Sequence, residues 1–185
     1  MFVECGNIPD ALQVFSRLVS PNEFSWTSMI QGYVECGESQ HAITLFHMMQ
    51  REDSRVDPSR FTFLAITKAC ARLKHALHKG LQIHAMIVEE GYETDLFLGN
   101  TLIDMYAKCA LMEDGENVFS NLTVHDVILW NTVLSGYIEH GHSEKVLSLI
   151  EKMQSYNISP DEITFIYGLS VCADLNMIVK GQELH

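Results

Sequence analysis

The chain has 185 residues, 47% of them hydrophobic and 9% aromatic, which is enough to bury a core and excludes a disordered tail. Acidic residues outnumber basic ones by 24 to 12, and the net charge of −12 excludes a protein that grips nucleic acid by bulk positive charge. The sequence contains no uninterrupted run of about 18 apolar residues, so neither a membrane span nor a membrane partner is expected. Five cysteines without a C-x-x-C spacing favour a reducing compartment over a disulfide framework or a zinc ribbon.

The sequence repeats itself. A shift of 104 residues, without gaps, superposes many identical residues in register. The coinciding pairs include Phe15/Phe119, Trp26/Trp130, Tyr33/Tyr137 and Gly37/Gly141. A second match, at 102 residues, superposes Thr62 and Cys70 on Thr164 and Cys172. A period this long exceeds one helical hairpin, so it predicts smaller units within it.

Turn residues and apolar spacing delimit these units. In chain order they are a partial block 1–22, the full blocks 23–59, 60–95, 96–126 and 127–161, and a partial block 162–185. In block 127–161 the apolar residues from Trp130 to Ile138 recur at helical spacing, and Gly141 is the predicted stop of that helix. A second apolar series then predicts a partner helix, and Pro160 closes the block. Each block is therefore predicted to be a helical hairpin, and the stacked hairpins to form an all-α, right-handed α-solenoid.

Four stretches carry a more specific resemblance. They are GLQIHA at 80–85, TLIDMYAKC at 101–109, WNTVLSGY at 130–137 and SPDEITF at 159–165. In wording, order and spacing the chain resembles the pentatricopeptide repeat (PPR) family, and its alternating block lengths resemble the plant-type subfamily with P, L and S repeats. The resemblance implies one PPR array, made of a partial S-type repeat 1–22, P-type 23–59, L-type 60–95, S-type 96–126, P-type 127–161 and a partial L-type repeat 162–185.

In that family the fifth and last residues of a repeat read one RNA base. Two blocks hold the Asn/Asp combination at these places, Asn100/Asp126 in block 96–126 and Asn131/Asp161 in block 127–161. The resemblance implies that this combination prefers uracil, then cytosine. An asparagine side chain carries both a donor and an acceptor, which suits a pyrimidine edge. Two consecutive pyrimidines are therefore expected at these blocks.

The remaining blocks are expected to discriminate less between RNA bases. Block 23–59 offers Thr27 and Ser59, for which only a weak purine preference is expected, and its length leaves the register of Ser59 open. Leu64, which is paired with Asp95, and Ile166 stand at the fifth position of the L-type blocks. Their apolar side chains cannot hydrogen-bond a base edge, so these blocks are expected to be spacers or weak readers.

Two further sets are candidates for RNA contact. The second residues of the blocks, which in the family pack against the base, are Phe24, Phe61, Phe97, Ile128 and Ile163. Aromatic stacking is worth about 1 to 3 kcal/mol per base, but packing in the core between repeats explains the same residues. Arg72 and Lys108 could contact phosphate or complement a helix C-terminus. Acidic residues hold the equivalent places in the other blocks and oppose RNA binding.

No enzyme, cofactor or metal site is expected. The triplet His142-Ser143-Glu144 matches half of a zinc cytidine deaminase signature, but the P-C-x-x-C half is absent from the sequence. His140 and His142 lack ligand partners at metal spacing. Three cysteines, Cys5, Cys36 and Cys109, end first helices, and Cys70 and Cys172 match each other, which predicts that all five are buried packing residues.

The function implied by the resemblance is sequence-specific binding of single-stranded RNA. It would select a site for RNA processing in the mitochondrion or chloroplast, such as C-to-U editing, with catalysis by a separate deaminase domain or by partner editing factors. The alternative is a helical-repeat scaffold that binds protein partners, which has no need of the Asn/Asp pairs. Two clear reading pairs are too few to define a site, so a fragment of a longer protein or a degenerate family member is expected.

Overall fold

The computed structural model describes residues 8–51, 56–73 and 76–174, except for the side chain of residue 174. All regular structure in these ranges is α-helical, which confirms the predicted all-α class. The helices are α1 Ile8–Ser16, α2 Glu23–Glu35, α3 Ser39–Met49, α4 Arg60–Arg72, α5 Leu77–Glu89, α6 Leu96–Lys108, α7 Met112–Asn121, α8 Val127–Glu139, α9 Ser143–Ser155 and α10 Glu162–Asp174. None of them is long and apolar enough to cross a membrane.

The blocks drawn from the sequence begin where helices begin. Helices α2, α4, α6, α8 and α10 start at the first residue of a block, and the last residue of the preceding block caps each one. Its side-chain oxygen accepts a hydrogen bond from a backbone amide of the first turn. The capping residues are Asn22, Ser59, Asp95, Asp126 and Asp161. These are residue types that cap helices well, so the last position of a block has a structural role of its own.

The helices pack as hairpins within two compact units, Met1–Tyr92 and Glu93–His185. In the first unit α2 contacts α1, α3 and α4, and α4 contacts α3 and α5. In the second unit α8 contacts α6, α7, α9 and α10, and α6 also contacts α7. In each unit the first helix of one hairpin therefore lies beside the first helix of the next, and stacking buries the apolar faces.

The repeat at 104 residues is reproduced in side-chain packing. The rings of Phe15 and Trp26 meet edge to face in the first unit, with centroids 4.8 Å apart and planes at 73°. The rings of Phe119 and Trp130 meet in the second unit with the same separation and the same angle. The residues paired by the sequence shift therefore hold equivalent places in the two units.

The turn after the first helix of a hairpin needs a left-handed residue. Gly141 has φ +72°, and the amides of Gly141 and His142 bond back to the carbonyl oxygens of Ile138 and Tyr137. The prediction that Gly141 ends this helix is confirmed. At the equivalent turn after α6 the residue is Ala110, whose φ of +59° is costly for a side chain with a Cβ.

The glycine of the WNTVLSGY stretch has a packing reason. A Cβ on Gly136 would lie 2.8 Å from the Cβ of Ala107 and 2.7 Å from the sulfur of Met112. Helix α8 therefore approaches its neighbours more closely here than any larger residue allows.

The prediction for the cysteines holds only in part, and Cys5 lies outside the described residues. Cys70 and Cys172 are buried, as expected. Cys36 is exposed and Cys109 is partly exposed, which contradicts the packing prediction for these two. Both are C-cap residues, of α2 and α6, and so lie past the last turn that faces the core.

Candidate nucleic-acid interface

A cleft of about 240 Å³ opens in the second unit, along helices α6, α8 and α10. Its lining includes one of the predicted reading pairs together with the second residues of two successive blocks. The lining residues are Asp104, Ala107, Ile128, Asn131, Thr132, Ser135, Gly136, Glu139, Asp161, Ile163 and Tyr167. The cleft thus contains the polar pair and the apolar flanks that base recognition requires.

The predicted reading pair, Asn131 and Asp161, forms a hydrogen-bonded network. Asn131 Nδ2 donates to Asp161 Oδ1 at 3.0 Å and to Oδ2 at 3.1 Å. Thr164 Oγ1 donates to Asn131 Oδ1 at 2.8 Å, and the Thr164 amide donates to Asp161 Oδ1 at 2.9 Å. Asn131 is 7% exposed and Thr164 only 1%. The network therefore fixes the asparagine before any ligand arrives.

The charge state of Asp161 sets the orientation of Asn131. Burial acts to raise the pKa of Asp161, but hydrogen bonds from the Thr164 amide and from Asn131 outweigh it, and the pKa lies below its ordinary value of 3.8. An ionised carboxylate only accepts, so Asn131 must turn its NH₂ group toward it. One N–H shared between the two carboxylate oxygens leaves Asn131 a second N–H and a lone pair for a base.

The second residues of the blocks are exposed. Ile128 and Ile163, 62% and 48% exposed, lie along the cleft that contains Asn131. Phe24, Phe61 and Phe97 are 76%, 61% and 64% exposed. The alternative that these residues fill the core is therefore wrong, and their side chains are accessible to a stacked base.

Block 23–59 has a network of the same design in the first unit. Thr27 Oγ1 lies 2.6 Å from Thr62 Oγ1, and Ser59 caps α4 as Asp161 caps α10. Ser59 therefore stands at the structural position of Asp161, despite the longer block. A fourth residue joins here, because Glu23 Oε1 accepts from both Thr27 Oγ1 and Ser59 Oγ.

The pair in block 96–126 is arranged differently. Asn100 Oδ1 accepts from Thr132 Oγ1 at 2.6 Å, while Asp126 accepts from the Leu129 amide at 2.8 Å. The described structure has no hydrogen bond between Asn100 and Asp126. The reason is the residue three places after the cap, which is Leu129 here and a threonine in the other two networks, so no hydroxyl links the pair.

Both cationic side chains that were candidates for phosphate contact have partners within the protein. Arg72 Nη1 donates to the carbonyl oxygen of Val34, near the C-terminus of α2. Lys108 Nζ lies 2.7 Å from Asp104 Oδ2, one turn earlier on α6. Both contacts match the interpretation of these cations as structural partners.

The other sequence candidates lie outside these networks. Leu64 is half-buried and Ile166 is 63% exposed, while Asp95 caps α6. His142 is the N-cap residue of α9, and Glu144 is exposed in its first turn. No cluster of three potential metal ligands occurs in the part of the chain that the structure describes.

Sequence reasoning missed Thr62, Thr164 and Glu23. The two threonines coincide in the 102-residue match, which marked them as equivalent but gave them no role. Glu23 lies four residues before Thr27, a spacing that brings two side chains together on one helix face. That spacing was the available signal.

Comparison with known proteins agrees with this geometry. A model described as the PPR repeat family matches residues 21–72 and 125–174, and a PPR repeat model matches residues 100–127. A putative pentatricopeptide repeat-containing protein of Arabidopsis thaliana is 35% identical over all of this chain, which covers 27% of its length. Two more from the same plant, named as chloroplastic and mitochondrial, are each 31% identical over all of the chain, which covers 22% and 18% of them.

Among solved structures, the pentatricopeptide repeat protein PPR10 in complex with an 18-nt psaJ RNA element matches 99% of this chain with a TM-score of 0.80. The identity is 20%, and 27% of that chain is covered. The likeness confirms the predicted fold, an α-solenoid of helical hairpins. The chain spans between 18% and 32% of the length of the first curated relatives. Since the family models match more than half of its residues, the chain belongs to the pentatricopeptide repeat family.

Proposed function

We propose that this chain binds single-stranded RNA and reads individual bases with its first helices. The observation that carries the proposal is the network of Asn131, Asp161 and Thr164 at the cleft between Ile128 and Ile163. Its orientation is fixed, and one N–H and one lone pair of Asn131 remain for a base edge. A similar fold in PPR10, solved with an RNA element, supports the same use of this one.

The two Asn/Asp blocks would favour pyrimidines, uracil before cytosine, but with different strength. In block 127–161 the asparagine is already held by its partners. In block 96–126, Asn100 accepts from Thr132 but has no hydrogen bond to Asp126, so no carboxylate fixes the direction of its NH₂ group. Selectivity should therefore be higher at block 127–161.

The wider setting follows from the relatives. The blocks 23–59 and 127–161 would be P-type repeats, 60–95 and 162–185 L-type, and 1–22 and 96–126 S-type. A longer protein that contains such an array would select sites for organellar RNA processing such as C-to-U editing. Catalysis would come from a separate domain or partner editing factors. Relatives named as chloroplastic and as mitochondrial support either organelle.

A binding titration tests the proposal. The chain is titrated at low salt with short unstructured RNAs that carry UU, CC, AA or GG at two central positions. We expect UU to bind best, then CC, and Asn100→Ala/Asn131→Ala to abolish the preference. Asn117→Ala, an exposed position on α7 outside the cleft, is the matched control and should leave it intact.

The competing function has its own observation. Asp104, Glu139 and Asp161 make the cleft acidic, and Lys108 is paired with one of them. Such a surface suits a basic protein segment. Binding that is absent, or indifferent to base and to the double substitution, would refute base reading and favour the protein scaffold.

A further inference from the structure

The reading site of block 23–59 contains a carboxylate that block 127–161 lacks. Glu23 Oε1 accepts from Thr27 Oγ1 at 3.1 Å and from Ser59 Oγ at 2.5 Å. It therefore touches both members of the predicted reading pair. The equivalent residue of block 127–161, one full repeat of 104 residues later, is Val127.

The hydroxyl hydrogens of this site have one consistent arrangement. Thr27 has a single hydrogen, and since it donates to Glu23, Thr62 must be the donor across the 2.6 Å contact to Thr27. Ser59 likewise donates its hydrogen to Glu23. Both reading hydroxyls then offer only lone pairs, and the carboxylate only accepts. The whole site is an acceptor surface.

We propose that Glu23 is a specificity-determining residue that makes block 23–59 select guanine; this rests on the proposed function. Guanine is the base whose Watson–Crick edge carries two adjacent donors, N1–H and N2–H. Since Glu23 Oε1 already accepts from Thr27 and Ser59, these donors match Oε2 of Glu23 and a remaining lone pair of a neighbouring hydroxyl oxygen. Adenine and cytosine place a ring-nitrogen acceptor beside their amino group. Uracil flanks its one N–H with two carbonyl oxygens, which repel a carboxylate.

The flanks of the site fit a purine. Phe24 and Phe61, the second residues of this block and the next, are 76% and 61% exposed, where block 127–161 has isoleucines. An aromatic ring stacks well on a base, and purines offer the larger face. Glu23 and Ser59 are themselves only half-buried, so a base edge can reach them.

The test uses the full chain and RNAs of the form 5′-NAUUAN-3′, with the same base N at both ends. The UU pair serves blocks 96–126 and 127–161, and the symmetry makes the result independent of strand direction. We expect G to bind roughly tenfold more tightly than the other three bases, the order of one good bidentate contact. Glu23→Gln should reduce the preference below about twofold, because the amide replaces one acceptor by a donor. Glu90→Gln, which removes the same charge at the exposed end of α5, should leave it unchanged.

The outcomes separate this inference from the function on which it rests. If Asn131→Ala weakens binding while the wild type shows no preference for G, the RNA-binding proposal stands and the role of Glu23 is overturned. A preference for G that survives Glu23→Gln, in a variant with unchanged thermal unfolding, overturns it as well. Binding of none of the RNAs refutes both proposals together.

Discussion

Thr164 links Asn131 and Asp161 in one hydrogen-bonded network, and its replacement by valine tests that network. Valine keeps the shape of threonine and removes only the hydroxyl. Asn131 Oδ1, on a residue that is 7% exposed, then loses its donor, whereas Asp161 is exposed enough to turn to water. One buried acceptor left without a partner costs about 1 to 3 kcal/mol, so Thr164→Val should lower the free energy of unfolding by about 1 to 2 kcal/mol.

The matched control is Thr101→Val. Thr101 is as buried as Asn131, but its hydroxyl bonds to the carbonyl oxygen of Phe97 in the same helix at 2.8 Å. That carbonyl can keep a backbone partner in the helix, so the change should stay within about 0.5 kcal/mol. Denaturant unfolding followed by circular dichroism measures both variants.

The same substitution has a binding readout. Without the Thr164 hydroxyl only Asp161 holds the Asn131 amide, so its orientation is less restricted and the preference for U over A at block 127–161 should fall while RNA is still bound. If Thr164→Val is as stable as the wild type and reads RNA equally well, the network described above does not orient Asn131.

Four further outcomes are expected. Ala110→Gly should stabilise the chain by about 0.5 to 1 kcal/mol in denaturant unfolding, because glycine tolerates the left-handed turn, and Gly141→Ala should cost a similar amount. Gly136→Ala should destabilise by about 1 to 3 kcal/mol in the same assay, since its Cβ would press on Ala107. Burial raises the pKa of Tyr106 from 10.0 to about 12. Its contribution to the free energy of unfolding should therefore be fully present below pH 10 and decrease as the pH rises toward 12, and Tyr106→Phe should reduce this decrease. Arg72 and Lys108, the two candidate phosphate contacts, both have protein partners. In a plot of log RNA affinity against log salt concentration, the slope should therefore be smaller in magnitude than about 1.4, the value for two neutralised phosphates on a single strand, and a steeper slope would show dominant phosphate contacts.

The fold could be predicted from the sequence because the same pattern of residues recurs along the chain. The 104-residue shift aligns the two tryptophans, and each packs against its phenylalanine with the same geometry. Apolar spacing and Gly141 located a first helix and its end. These are local signals, since a helix face and a left-handed turn depend on residues close in sequence.

The candidate site could be predicted only in part from the sequence, because its hydrogen bonds connect residues of different hairpins. Spacing marked Asn100 and Asn131 as equivalent, yet Asn100 is held by Thr132 of α8 and Asn131 by Thr164 of α10. The difference depends on a side chain some 30 residues away, which no local pattern reports. In block 23–59 the hydrogen-bond acceptor character of the site likewise depends on Glu23, which lies outside the fifth and last positions of the block.

The last residue of each block caps a helix and, in the proposed function, also takes part in base reading, which limits the residue types that this position can hold. Asn22, Ser59, Asp95, Asp126 and Asp161 all cap the following helix, and loss of a cap costs about 1 kcal/mol. The choice at this position is therefore confined to residues that cap well, whereas the fifth position ranges over Thr, Leu, Asn and Ile. Most of the variation available for base selection must then lie at the fifth position and at neighbours that reach it. For the same reason, alanine at the last position would remove the cap and the proposed reading group together, and only an exchange between capping residues, such as Asp161→Asn, would separate base reading from folding.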